Sequence, residues 1–150
     1  MSKILISNRG NISGKNPIKE NKVDYIEEAF ILGFDVKIDI WAKKNSNNQV
    51  NLFLNDEEPV EEINLYWLFK NCGKLWLECK NIEALEFFDS MQFFNYFWLE
   101  NNLTTITSKK FIWSERQPIK NSIAFQPENK EISQCLGFCS DYISNYNKTD

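Results

Sequence analysis

The chain has 150 residues, a formal net charge of -4, and 43% hydrophobic against 25% charged side chains, which suits one domain with a substantial core and leaves no room for two. An acidic balance with a pI near 5.0 argues against a general nucleic-acid binder, which needs a basic face to neutralise phosphates. The chain contains no histidine, so any chemistry must do without the side chain whose ordinary pKa lies nearest neutrality.

In chain order, the apolar run Ile4-Leu5-Ile6 passes through Ser7 into Asn8-Arg9-Gly10, a strand that stops at a polar, cationic, glycine-containing turn. Its apolar core is too short for a signal peptide, and no later window approaches the roughly 18 apolar residues of a membrane helix; both predict a cytosolic chain with no membrane span. Residues 11–21 read as a loop. Val23, Ile26, Ala29 and Phe30 recur at helical spacing, with Gly33 as the C-cap.

The stretch Val36 to Trp41 alternates Val36, Ile38 and Ile40 with Lys37 and Asp39, as a strand with unlike faces does. A polar connector, Lys43 to Gln49, leads to a third strand, Val50 to Leu54, which ends at Asn55 and Asp56. Pro59 is expected in the first turn of a second helix through Ile63, Leu65, Tyr66, Leu68 and Phe69, with Glu57, Glu58, Glu61 and Glu62 favoured by its dipole. Lys74 to Lys80 is the fourth strand, Asn81 caps a third helix through Ile82, Leu85 and Phe88, and Phe93 to Trp98 is the fifth strand, ending at Glu100. Phe111-Ile112-Trp113, Ser122 to Phe125 and Gly137 to Ser140 are three more strand candidates; Tyr142 to Tyr146 predicts a short terminal helix.

Eight short apolar runs, alternating with helices in the first half, predict a compact (β/α)8, TIM-like barrel with helices reduced or missing in the second half. An open, incomplete parallel sheet is the alternative, because such barrels typically need about 250 residues and the later connections are too short for crossover helices. The aromatic cluster from Phe87 to Trp98 is assigned to the core. Cys72, Cys79, Cys135 and Cys139 contain no CxxC pair, which predicts reduced thiols and no zinc site; Cys139 lacks a histidine to activate it as a nucleophile.

Parallel strands collect their C-terminal ends at one rim: Asn8, Arg9, Asp39, Asn55, Asp56, Glu78, Lys80, Glu100 and Asp141. Carboxylates beside an arginine and a lysine suit a hard cation such as Mg2+ or Ca2+ that shares a phosphate with the guanidinium. Arg116, the only other arginine, is expected to be a solvated loop residue.

These pieces, in order, resemble the glycerophosphodiester phosphodiesterases, within the wider phospholipase-C-like phosphodiesterase barrels. The family's His-Arg-Gly stands here as Asn8-Arg9-Gly10, its Pro-Glu-Asn element loosely as Pro17 and Glu20-Asn21, and its Glu-x-Asp as Lys37-Ile38-Asp39. Its His-Asp stands as Asn55-Asp56, its Glu-x-Lys as Glu78-Cys79-Lys80, and its closing Gly-x-x-[Ser/Thr]-Asp-Tyr as Gly137 to Tyr142. The resemblance is good from residue 4 to about 82 and sparse from 83 to 136. It implies metal-assisted phosphodiester cleavage, with the catalytic positions at Asn8, Asn55, Arg9 and Lys80, phosphate binding by Arg9, Lys80 and Lys37, and a Mg2+ or Ca2+ ion on Asp39 and Glu78.

The chain departs from that pattern at three positions. Asn8 and Asn55 replace both histidines, and an amide cannot exchange a proton near neutral pH. Lys37 replaces a metal carboxylate. The expected function is a phosphodiester hydrolase-family protein for a glycerol- or sugar-phosphate diester with impaired catalysis; the alternatives are a non-catalytic module binding a phosphorylated ligand or a protein, and a scaffold with an inert rim. An antiparallel hairpin around Lys43 to Gln49 is expected to put Asn55 at the opposite end from Asp39 and dissolve the site.

Overall fold

A computed structural model describes residues 2–101, 103–127 and 132–148. Among these residues are ten strands: β1 (Ile4–Asn8), β2 (Asp35–Lys44), β3 (Val50–Leu54), β4 (Glu61–Ile63), β5 (Leu75–Cys79), β6 (Asn95–Phe97), β7 (Thr104–Ile106), β8 (Ile112–Glu115), β9 (Ser122–Phe125) and β10 (Gly137–Ser140). The helices are α1 (Val23–Ile31), α2 (Leu65–Lys70) and α3 (Ile82–Asp89). None of them is long and apolar enough to cross a membrane.

The expected (β/α)8, TIM-like barrel does not form: the fold is one mixed ten-stranded sheet with three short α-helices. Chain length is the physical cause, since the connections beyond β6 are too short to hold crossover helices. Where a barrel would insert a helix, the chain instead turns back on itself, with β3 antiparallel to β2, β4 antiparallel to β3 and β7 antiparallel to β8. The predicted second helix is also shorter than expected. Glu61–Ile63 pairs with β3, seating Ile63 opposite Leu52, and the Asn64 side chain accepts the Tyr66 N–H to start α2 only at Leu65. The four glutamates therefore precede the helix rather than line its first turn. The terminal helix is a single 3-10 turn, Ile143–Asn145.

Within the sheet, β6, β5, β2, β1, β10, β9 and β8 form an unbroken parallel series. The two ends of this series come together. Phe97 of β6 stacks on Trp113 of β8 at 4.7 Å between ring centroids, and the Ser108 N–H donates to the Tyr96 carbonyl at 2.7 Å. The sheet thus curls around an inner cluster of Ile6, Trp76, Phe97, Trp113, Ile123 and Cys139. Its outer face carries Val36, Ile38, Ile40, Leu75, Leu77 and Cys79, packed under α1 and α3 through Ile26, Ala29, Ala84 and Phe88. The assignment of the Phe87–Trp98 aromatics to the core holds for Phe88, Phe94 and Phe97, which are essentially buried, and in part for Phe87, Tyr96 and Trp98, which pack half-buried against it, but not for Phe93, which is 42% exposed.

The curl brings β1 and β10 very close. A Cβ placed on Gly137 would lie 2.2 Å from the Ile4 carbonyl oxygen, so Gly137→Ala should destabilise the fold by about 3 kcal/mol, a loss that chemical denaturation would measure. No exchange at the far end of the flexible side chains can relieve it, because the obstacle is backbone.

Candidate functional site

Strand periodicity builds the site. Side chains two apart share a face, so Ile6 and Asn8 on β1, Trp76 and Glu78 on β5, and Trp113 and Glu115 on β8 all point into the curl. In each pair the residue nearer the strand's C-terminal end is polar. On β2, Lys37 and Asp39 take the same inward face. The alternation that marked this strand therefore separates an outer apolar face from an inner polar one, and Lys37 and Asp39 are 3% and 0% exposed.

Six side chains close into a ring of ion pairs. Arg9 Nε donates to Asp39 Oδ2 at 2.7 Å and Lys37 Nζ to Asp39 Oδ1 at 2.9 Å. Lys37 Nζ also reaches Glu78 Oε1 at 3.0 Å, and Lys80 Nζ reaches Glu78 Oε2 at 3.2 Å. Asp56 Oδ1 completes the circuit, 3.2 Å from Lys80 Nζ and 2.9 Å from an Arg9 terminal nitrogen. Charges alternate around it, three cations and three carboxylates, so each charge in the ring meets two of opposite sign, from Lys37 and Asp39 in the interior to Asp56, 42% exposed, at the mouth.

Loops fix the orientation of this ring. Arg9 has φ 62 and Gly10 φ 96, two successive left-handed residues that end β1 in a sharp turn. A Cβ on Gly10 would lie 2.5 Å from Tyr25 Cδ2, so glycine is needed both for the turn and for the ring packed against it. Asn21 clamps Asp39 from both sides: its Nδ2 donates to Oδ2 at 2.9 Å, and its Oδ1 accepts the Asp39 N–H at 3.1 Å. Glu20 braces Arg9 at 3.3 Å. Asp141 Oδ1 accepts from Asn8 Nδ2 and Asn11 Nδ2, each at 2.8 Å.

The β2–β3 hairpin around Lys43 to Gln49 is antiparallel, yet Asn55 does not leave the site. β2 runs past its parallel partners, so the hairpin uses only its distal residues, with Ile40 opposite Leu54. The return strand brings Asn55 back beside Asp39, and the Asn55 N–H donates to the Asp39 carbonyl at 3.2 Å. Asp56 follows into the ring. Of the rim residues expected from sequence, Asn8, Arg9, Asp39, Asn55, Asp56, Glu78, Lys80 and Asp141 converge, whereas Glu100 lines neither of the cavities there.

Those cavities are two lobes of one cleft that share Arg9, Asp56 and Phe125. One, of about 710 Å3, is lined by Arg9, Lys37, Lys80 and Arg116 against Asp56, Glu78 and Glu115, a net positive balance. The other, of about 490 Å3, holds Asn8, Asn21, Asn55 and Gln126 with Lys15 and several carboxylates, and is acidic and amide-rich. Arg116 is the exposed loop residue expected, in a bend just beyond β8, and from there it also lines this cleft. Glu115, two residues beyond Trp113, escaped the sequence reading; extending that strand by one inward position would have found it.

Electrostatics fix most protonation states. Burial alone would depress the Lys37 ammonium, but Asp39 and Glu78 outweigh it and hold lysine well above its usual value. Arg9 and Lys80 are likewise raised, against the pull of burial, chiefly by Asp39 for the first and Glu78 for the second. Burial would raise Asp39, yet Lys37, Arg9 and the Asn21 amide keep it below the ordinary aspartate range. Glu115 goes the other way: burial pushes it up to about 7, with Glu78 adding to the effect and Lys37 and Arg116 opposing it. Cys139 is buried and its thiol is held well above the usual range by desolvation, which removes the thiolate a nucleophile needs.

The donor set does not match a divalent cation. Lys37 Nζ lies between Asp39 and Glu78 within 3.0 Å of each and uses the carboxylate oxygens such an ion would take. Among the described residues no group of three His, Cys, Asp or Glu side chains is arranged to hold a metal. The cleft can instead supply fixed positive charge, amide donors and acceptors, and one carboxyl group close to neutrality. No protein-family model, curated protein or solved structure matches the chain.

Proposed function

We propose that this chain is a non-catalytic binding module of phosphodiesterase ancestry, whose cleft takes a glycerol- or sugar-phosphate diester without a metal ion. The observation that carries the reading is the Lys37 ammonium between Asp39 and Glu78, together with asparagine at both positions where proton transfer would occur. Fixed ammonium charge stabilises a bound phosphate, but neither amide can protonate a leaving group or activate water. The lining charges of the larger lobe are net positive whether Glu115 is ionised or protonated, which suits the single negative charge of a phosphodiester. The amides of Asn8, Asn21, Asn55 and Gln126 in the adjoining lobe suit the hydroxyls of its alcohol substituent.

Calorimetric titration with glycerophosphoglycerol, a diester whose only charge is its phosphate, tests this reading. Wild-type protein in EDTA should bind it saturably, and the affinity should fall as salt rises because the phosphate contacts are electrostatic. Lys80→Ala should weaken binding by at least about tenfold, the loss expected for one charged hydrogen bond of about 1.5–3 kcal/mol. Binding that requires added Mg2+ or Ca2+ would contradict the reading.

A further inference from the structure

We propose that Glu115 is a ligand-binding residue of the larger lobe, donating a hydrogen bond from its protonated carboxyl to a phosphate oxygen held by Lys80 and Arg116. This rests on the phosphodiester-binding reading and adds a pH dependence to it. Three features of the geometry carry it. Glu115 ends β8 on the inward face, directly above the buried Trp113, and its side chain lines the same cavity as Lys37, Lys80 and Arg116. Its Oε2 is buried against the Trp113 indole, which opposes the rise in the carboxyl's pKa by hydrogen bonding, while the residue as a whole is only half-buried and is open to the cavity on its other side. And it stands outside the closed ring, in which Asp39, Glu78 and Asp56 are each committed to two cations.

A carboxyl that lines a cationic cavity can donate to a ligand acceptor only while it carries a proton. An ionised carboxylate there would repel a phosphate oxygen, whereas a carboxylic acid donates to it. The groups that face Glu115 set the balance: Lys37 from β2, Glu78 from β5, Cys139 from β10 and Arg116 just beyond β8, with Arg9, Lys80 and Asp56 on the cavity wall. Desolvation dominates and raises the carboxyl to about 7, so the proton is present on the acidic side of neutrality. Lys37, Lys80 and Arg9 are all raised by their partners and Cys139 by burial, so none of these changes charge between pH 6 and 8.

The test is titration of glycerophosphoglycerol into wild-type protein and Glu115→Gln at pH 6.0 and 8.0, a range over which the diester itself stays monoanionic. Wild-type affinity should be about tenfold higher at pH 6.0, the dependence expected when binding takes up a proton on a group titrating near 7. Glu115→Gln, whose amide keeps a donor at every pH, should bind with similar affinity at both. Carboxyl 13C chemical shifts of wild-type Glu115 should also show its titration midpoint moving upward when the diester saturates the site. Saturable wild-type binding that is equal at the two pH values, or an unmoved Glu115 midpoint, overturns the role of Glu115 and leaves the binding reading intact. Absence of binding at both pH values overturns both.

Discussion

Lys37→Met should cost about 3–5 kcal/mol of folding stability, the largest loss expected from any single ring substitution, because it strands buried carboxylates without their shared cation. Asp39 is 0% exposed and would keep only Arg9 and Asn21, while Glu78 would keep only Lys80. The comparison is Lys22→Ala, which breaks a pair with Glu61 whose side chains are 45% and 46% exposed; its cost should be below about 1 kcal/mol. The two losses also differ in their pH dependence. Asp39 is held below the ordinary aspartate range, so its contribution is present above the unfolded pKa and disappears as pH falls through the folded one. The Lys37→Met penalty should therefore shrink under acid conditions, as urea titrations at pH 7 and pH 3 would measure.

The second large effect is a gain. Combining Lys37→Glu with Asn8→His and Asn55→His replaces the internal ammonium by a third carboxylate beside Asp39 and Glu78, and puts titratable groups at both amide positions. Without metal the variant should be less stable than wild type, because three buried carboxylates repel one another. Millimolar Ca2+ or Mg2+ should restore its melting temperature by mass action while leaving that of wild type unchanged. Hydrolysis of glycerophosphoglycerol should then exceed wild type by about 10² or more, the contribution of one general acid or base, and vanish in EDTA. A variant that binds the metal yet hydrolyses nothing would sever these positions from any catalytic ancestry.

Much of this arrangement is legible in the residues themselves. The alternation of Val36, Ile38 and Ile40 with Lys37 and Asp39 marks a strand with two unlike faces, and the polar strand ends mark the rim. Asn81 caps α3 as expected, its side chain accepting the Ala84 N–H at 3.1 Å. What periodicity cannot supply is where a strand continues after its first partner ends. β2 has ten residues and pairs with β5 on one edge and with β1 and then β3 on the other, so a hairpin expected to carry Asn55 away returns it to Asp39.

The short edge strands were illegible for a related reason. Glu61–Ile63 and Thr104–Ile106 have three residues each, too few to establish a period of two, and only pairing with β3 and β8 defines them. Closure of the ion-pair ring depends on which side chains face one another across strands that are distant in sequence. Asp56 and Lys80 meet because β3 and β5 both flank β2, a fact of sheet order and not of spacing. Glu115 was hidden because the expected strand stops at Trp113, two residues before β8 ends.

Binding without turnover is the central claim, and 31P spectroscopy of glycerophosphoglycerol mixed with the wild-type protein tests both halves in one sample, first in EDTA and then with excess Mg2+. The diester resonance should broaden or shift in EDTA, an effect lost in Lys80→Ala, and no phosphomonoester signal should appear after prolonged incubation with the metal. An unperturbed diester resonance, or a growing monoester peak on adding Mg2+, would contradict it.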